Sequence, residues 1–197
     1  MNATELTALL LLATAASFTP GPNTTLSTAL AANRGLRGSM HFVCAVPVGW
    51  GLLLVLCAAG LGSLVVSLPL LRWGILCAGL GYLLWLAWRL ANTRTLAQAD
   101  ARKLDVSFWQ GVGLQFVNIK AWMLALAIVA GWIAGRPDAA TRTLQVLPLM
   151  AAFAFFSNLT YALAGALLRD WLAGPVVNGS ASGARLVAFN RGMASVL

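Results

Sequence analysis

Thr19-Pro20-Gly21-Pro22-Asn23 interrupts an apolar run that begins at Leu6 and resumes as far as Leu30, and the reading of this string decides the fold. Two prolines and a glycine withdraw backbone donors and stop a helix, and Asn23 sets amide atoms beside the groups so released. In hydrocarbon an unsatisfied peptide group is costly, so an interruption at that depth survives only where protein, water or a ligand satisfies it. A cavity inside a helical bundle is therefore expected. The plainer alternative is a packing kink, with Asn23 bonded to a neighbouring span.

Composition fixes the surroundings of that break. Of 197 residues, 60% are hydrophobic and 9% charged, and the mean hydropathy is +0.83; soluble domains carry about 25% charged residues. The chain reads as all-α, a polytopic membrane bundle forming one domain over residues 1–197. Its net charge of +8 comes from basic residues scattered among short connections, with no stripe interleaved with aromatics, so nucleic acid is not an expected partner. Cys44, Cys57 and Cys77 lie in apolar runs without the spacing or histidine company of a metal site. They read as small hydrophobes, and neither metal nor cofactor is expected.

About six apolar segments follow one another. They run over residues 6–30, 40–67, 71–90, 108–134 and 143–168, with a terminal stretch at 184–197. The connections are Asn33-Arg34-Gly35-Leu36-Arg37-Gly38, a turn at Ser67-Leu68-Pro69, a polar loop over 92–105, Gly135-Arg136-Pro137-Asp138, and a Gly/Ser/Pro-rich link at 174–183. The terminal stretch would reach only about 21 Å against a core of roughly 30 Å, so the last helix is expected to be short. Arg34, Arg37, Arg89, Arg94, Arg102, Lys103, Arg169, Arg185 and Arg191 gather at one set of span ends, and Arg72, Arg136 and Arg142 at the other. The richer side is expected to face the cytoplasm, with both termini outside. Trp50, Trp73, Trp85, Trp88, Trp109, Trp132 and Trp171 fall near span ends and read as an interfacial belt.

Within the apolar segments one basic residue stands out: Lys120, flanked by Gln115 and Asn118. An intramembrane lysine marks a functional site by default, and the alternative is that its long stem snorkels to the interface. The first and fourth segments thus each carry an asparagine-centred patch, the pattern of a three-plus-three inverted repeat with halves 1–91 and 108–197; coincidence is the competing explanation. The restart at Pro22 and Asn23 offers helix N-terminal amides to an anion. Lys120 would add a positive partner, and the carbonyls released at Phe18 and Thr19 would accept from an ammonium group. A small zwitterion is the expected ligand. Asn158 and Tyr161 share a helix face, as substrate contacts or as interhelical glue. Gly49, Gly51, Gly60, Gly62, Gly79 and Gly81 are expected to permit close helix approach.

No Asp or Glu falls inside an expected span, and the sequence has no Walker loop, HExxH or GxSxG motif. An enzyme is not expected. The strings TPGPN (19–23), GLRG (35–38), GLGYLLWLAWRLA (79–91) and QFVNIKAW (115–122), in this order, resemble the LysE/RhtB family of amino-acid exporters. Asn158-Leu159 and Phe189-Asn190-Arg191-Gly192-Met193 look most like its branch containing cysteine and O-acetylserine exporters. The resemblance implies a small multi-pass carrier in the lipid bilayer of the bacterial inner membrane, often a homodimer, moving amino acids outward on the proton gradient. It carries the family's shared positions onto Pro20, Gly21, Pro22, Asn23, Asn118 and Lys120. Where that family has Asn-Pro-Lys this chain has Asn118-Ile119-Lys120, and Ile119 restores a backbone donor, so the fourth span is expected to be less broken. A secondary exporter is the leading reading; a passive pore and a noncatalytic assembly or regulatory subunit are its alternatives.

Overall fold

Capping side chains and prolines, more than hydropathy, set where these helices start. The computed structural model describes residues 1–92, 106–174, 176–177, 180–181 and 183–197, so most of the polar loop expected over 92–105 lies outside the described residues. Helix α1, Ala3–Phe18, opens on a capping box: Asn2 Oδ1 accepts from the Glu5 N–H at 2.8 Å, and Glu5 Oε2 accepts from the Asn2 N–H at 3.0 Å. Helix α2, Pro22–Ala58, begins with proline at its first turn, where the missing donor costs nothing. Two further helices follow, α3 (Leu61–Ser67) and α4 (Pro69–Ala91), the latter again led by proline. Ser107 and Gln110 box the start of α5, Phe108–Val117, and Asn118 caps α6, Ile119–Ile128, which runs into a π-helical turn at Val129–Ile133. Long α7 (Ala139–Ala173) and short α8 (Ala184–Val196) complete the bundle, joined across a two-residue hairpin in which Val176–Val177 pairs with Ser180–Ala181.

The connection expected over residues 33–38 is compressed to one residue. Gly35 alone leaves helical geometry inside α2, at φ 74° and ψ 169°, a backbone that glycine adopts without the penalty a Cβ would bring. The rods on either side fold back on each other, so that Pro22 and Trp50 meet in one wall. The second expected segment also stops early: α2 ends at Ala58, Gly60 takes a left-handed turn, and 61–67 is a separate short helix. Among the described residues, three helices are long and apolar enough to cross a membrane, or four when the bent pair α5 and α6 counts as one. Helix α1 is too short to cross alone.

Two apolar clusters occupy opposite ends of the bundle. One joins Leu9, Leu53, Leu54, Trp122, Ala125 and Ile128; the other joins Leu26, Leu30, Phe42, Leu86, Leu90 and Leu114. Buried polar side chains, among them Asn23's partner Gln115, Ser27, Asn118, Ser157 and Asn158, lie between them. At the first end Arg142 Nη1 donates to Glu5 Oε1 at 3.1 Å, its Nε donates to Asp138 at 2.9 Å, and the Trp132 indole donates to the Glu5 carbonyl at 2.9 Å. At the other, Asn33 and Asn190 exchange amide hydrogen bonds at 2.8 and 3.1 Å, fastening α8 to the first rod of α2.

In lipid, helices associate through close packing and polar contacts because tails are as apolar as the side chains. Gly165 of α7 lies so tightly on the Thr28 carbonyl that an added Cβ would overlap it. Gly49 is similar, its added Cβ falling 2.6 Å from the Val112 carbonyl oxygen. Gly81, expected to do the same, meets nothing within 4 Å, and Gly60 serves a turn.

Gly165→Ala should therefore destabilise the fold by about 1–3 kcal/mol through overpacking against backbone, while Gly81→Ala should leave it unchanged. Melting midpoints in detergent compare the two. A second outcome concerns pH. The Asn2 backbone bond and then Arg142 hold the Glu5 carboxyl below its ordinary range, and Arg142 does the same for Asp138. Because both folded values are depressed, their stabilisation is complete above the unfolded carboxylate pKa of about 4. It is lost as pH falls through the lowered values. The melting difference between wild type and Arg142→Ala should stay constant from neutral pH down to about pH 5 and shrink below about pH 4.

Candidate functional site: a chamber between two interrupted helices

Both interruptions expose the start of a helix to the same point. After α1 ends at Phe18, Thr19 to Gly21 are extended and the chain restarts at Pro22. Thr24 Oγ1 caps this restart, accepting from the Gly21 N–H and donating to the Gly21 carbonyl, each at 3.0 Å. Across from it, α5 stops at Val117 and α6 departs at 68° to it. Ile119 does not preserve the helix as expected from its backbone donor: Asn118 sits in the extended region and its Oδ1 accepts from the Lys120 N–H at 3.1 Å, an asparagine cap sufficient to divide the span without proline. The rod from Pro22 runs toward the Asn33–Asn190 end and α6 toward the Glu5 end. Their N-termini therefore face one another from opposite directions, and their partial positive charges add.

Lys120 bridges the two breaks. Its Nζ donates to the Thr19 carbonyl at 2.6 Å, and its stem lies over Gly21, where an added Cβ would come within 3.1 Å. Tyr161 Oη donates to the Phe18 carbonyl at 2.9 Å. The carbonyls expected to await a ligand's ammonium group are thus held by protein side chains in this conformation. Asn23 is likewise engaged: its Nδ2 donates to Gln115 Oε1 at 2.8 Å and its Oδ1 accepts from Gln115 Nε2 at 3.1 Å. Ser27 Oγ donates to Asn158 Oδ1 at 2.8 Å, while Asn158 Nδ2 donates to the Ala154 carbonyl.

These groups enclose a chamber of about 60 Å³, space for about four waters at roughly 15 Å³ each. That is the scale of a small amino acid, far below a nucleotide. Of the residues singled out from sequence, Gly21, Pro22, Asn23, Asn118, Lys120 and Asn158 line it. Pro20 and Tyr161 do not; Pro20 is exposed, and Tyr161 acts through the Phe18 carbonyl. Among the described residues, Lys120 is the only charged one in the wall. Sequence reasoning missed Trp50, placed in the interfacial belt but only 4% exposed and part of this wall, and Met150, a hydrophobe with no local signal to distinguish it. Trp73, Trp85, Trp88, Trp109 and Trp171 are exposed, as residues of such a belt would be.

Interrupted helices whose restart ends converge on a small interior chamber define a membrane translocator. The family model described as LysE type translocator matches residues 14–190, and the chain belongs to that family. It is a transporter and not an enzyme. It is 33% identical to the cysteine/O-acetylserine efflux protein of Salmonella typhimurium over 153 residues, 78% of each chain. It is 32% identical to the protein of the same name from Escherichia coli K12 over 157 residues, again 78% of each. No solved structure matches it.

An interhelical hydrogen bond in lipid contributes about 0.6 kcal/mol, rarely above roughly 1.7, but a buried amide stripped of its partner costs about 1–3 kcal/mol. Asn23→Leu, which strands the fully buried Gln115 amide oxygen, should therefore lower the melting midpoint more than Asn23→Leu combined with Gln115→Leu, which removes both partners. The ordering of the two melts in detergent checks this.

Proposed function

We propose that this protein exports amino acids of cysteine or O-acetylserine size from the cytoplasm by alternating access, with the chamber as the cargo site. The observation that carries the reading is the Lys120 ammonium resting on the Thr19 carbonyl between two opposed helix N-termini. Lysine here occupies the place of a cargo ammonium. A zwitterion entering the chamber offers both halves of an exchange: its carboxylate draws Lys120 Nζ away, and its own ammonium takes the vacated Thr19 carbonyl. The Thr19 carbonyl and the Lys120 ammonium remain partnered before and after, which keeps the cost of loading small in a medium that punishes unpaired groups. The names of the relatives support the cargo class.

The same reading places the end holding Asn33, Arg169 and Arg185 in the cytoplasm of a bacterial inner membrane, and the end holding Glu5, Arg136 and Arg142 outside. Two halves related by an inverted repeat are supported by the opposed restarts at Pro22 and Ile119. Proton coupling, where present, has Lys120 as its carrier at the chamber, since no other lining residue is charged.

Purified protein in liposomes preloaded with labelled L-cysteine, kept reduced, tests this directly. Saturable efflux that responds to an imposed pH gradient is expected. Lys120→Met and Asn23→Ala should each lower it at least about tenfold, the effect of losing one hydrogen bond to a charged group, and Lys120→Met should also remove the gradient response. Efflux that never saturates would identify a pore. Absence of flux for cysteine, O-acetylserine and other amino acids would leave a noncatalytic subunit, and wild-type efflux in both variants would remove the chamber from the pathway.

A further inference from the structure

The indole of Trp50 is buried with an N–H that has no acceptor. Trp50 stands on the second rod of α2, in the chamber wall opposite the restart at Pro22. Other inward-turned indoles are satisfied: Trp122 donates to the Phe116 carbonyl at 2.8 Å and Trp132 to the Glu5 carbonyl at 2.9 Å. Among the described residues, the only other buried side-chain nitrogen or oxygen so orphaned is Nε of Arg169, which lies near Gly35, away from the chamber. A buried donor left unmade is destabilising, and a phenyl ring would fill much of the same space without one.

The acceptors within the chamber are already committed. Asn23 Oδ1 accepts from Gln115, Asn158 Oδ1 from Ser27, and Asn118 Oδ1 from the Lys120 backbone. None of these amide oxygens serves Trp50, which leaves its N–H for water or for cargo in the chamber. An indole N–H donates and never accepts, so it favours a carboxylate and gives nothing to an amine. The two helix N-termini and the Lys120 ammonium in the same wall favour the same charge. We propose that Trp50 is a binding residue whose indole N–H donates to the cargo carboxylate, making the chamber selective for amino acids over the corresponding amines. This inference rests on the cargo reading above.

Trp50→Phe retains the ring and removes the donor. In liposomes, KM for L-cysteine should rise about tenfold with kcat within about twofold, while inhibition by cysteamine, the same molecule without its carboxylate, should not change. A second measurement needs no variant. With indole-15N-labelled tryptophan in the wild-type protein, L-cysteine should shift one indole resonance to a lower field and cysteamine should shift none, Trp50 being the only tryptophan in the chamber wall. An unchanged KM in a folded Trp50→Phe, or no indole resonance that distinguishes the two compounds, overturns the proposal while saturable wild-type efflux leaves the exporter standing. A wild-type protein that moves no cysteine takes both down together.

Discussion

A peptide group in hydrocarbon must have a partner, and every unusual feature of this protein follows from two places where the chain declines to supply one locally. At Thr19 to Gly21 and at Asn118 the helical ladder stops. The Phe18 and Thr19 carbonyls are then satisfied by Tyr161 and Lys120, side chains more than a hundred residues away in sequence. Those contacts tie the first broken span to both the fourth and the fifth. The Asn23–Gln115 and Ser27–Asn158 pairs repeat the same ties a turn or so further along, beside the chamber and between the two apolar clusters. The bundle's cross-links and the chamber's lining are thus built from one set of hydrogen bonds.

Much of this was legible in the sequence, because hydropathy and proline report on the backbone directly. The break at 19–23 and the polar patch at 115–120 stand where expected, while Asn158 lines the chamber and Tyr161 reaches the Phe18 carbonyl instead. What escaped was tertiary. An arginine- and glycine-rich string over 33–38 reads as a loop, yet only Gly35 leaves the helix, since arginine is a good helix former and a single glycine supplies the reversal. Asn118 breaks its span without proline, as an asparagine can when its side chain substitutes for the missing turn. Trp50 lies near a span end by count, but the chain turns so tightly before it that it is carried inward. No periodicity reveals which carbonyl a distant lysine will find.

The chamber's electrostatics arise almost entirely from neutral groups. Its wall has one formal charge, and the remaining positive potential comes from two helix ends that point at each other. Such dipoles are fixed by the backbone and do not titrate, so that part of the potential does not change with pH.

The one-residue reversal at Gly35 also governs how slack is distributed along the chain. With no spare length between them, the rods of residues 22–34 and 36–58 stay joined at that end through a single residue, and both contribute to the chamber wall. The other non-helical backbone of these spans, at 19–21 and at 118, lies beside the chamber.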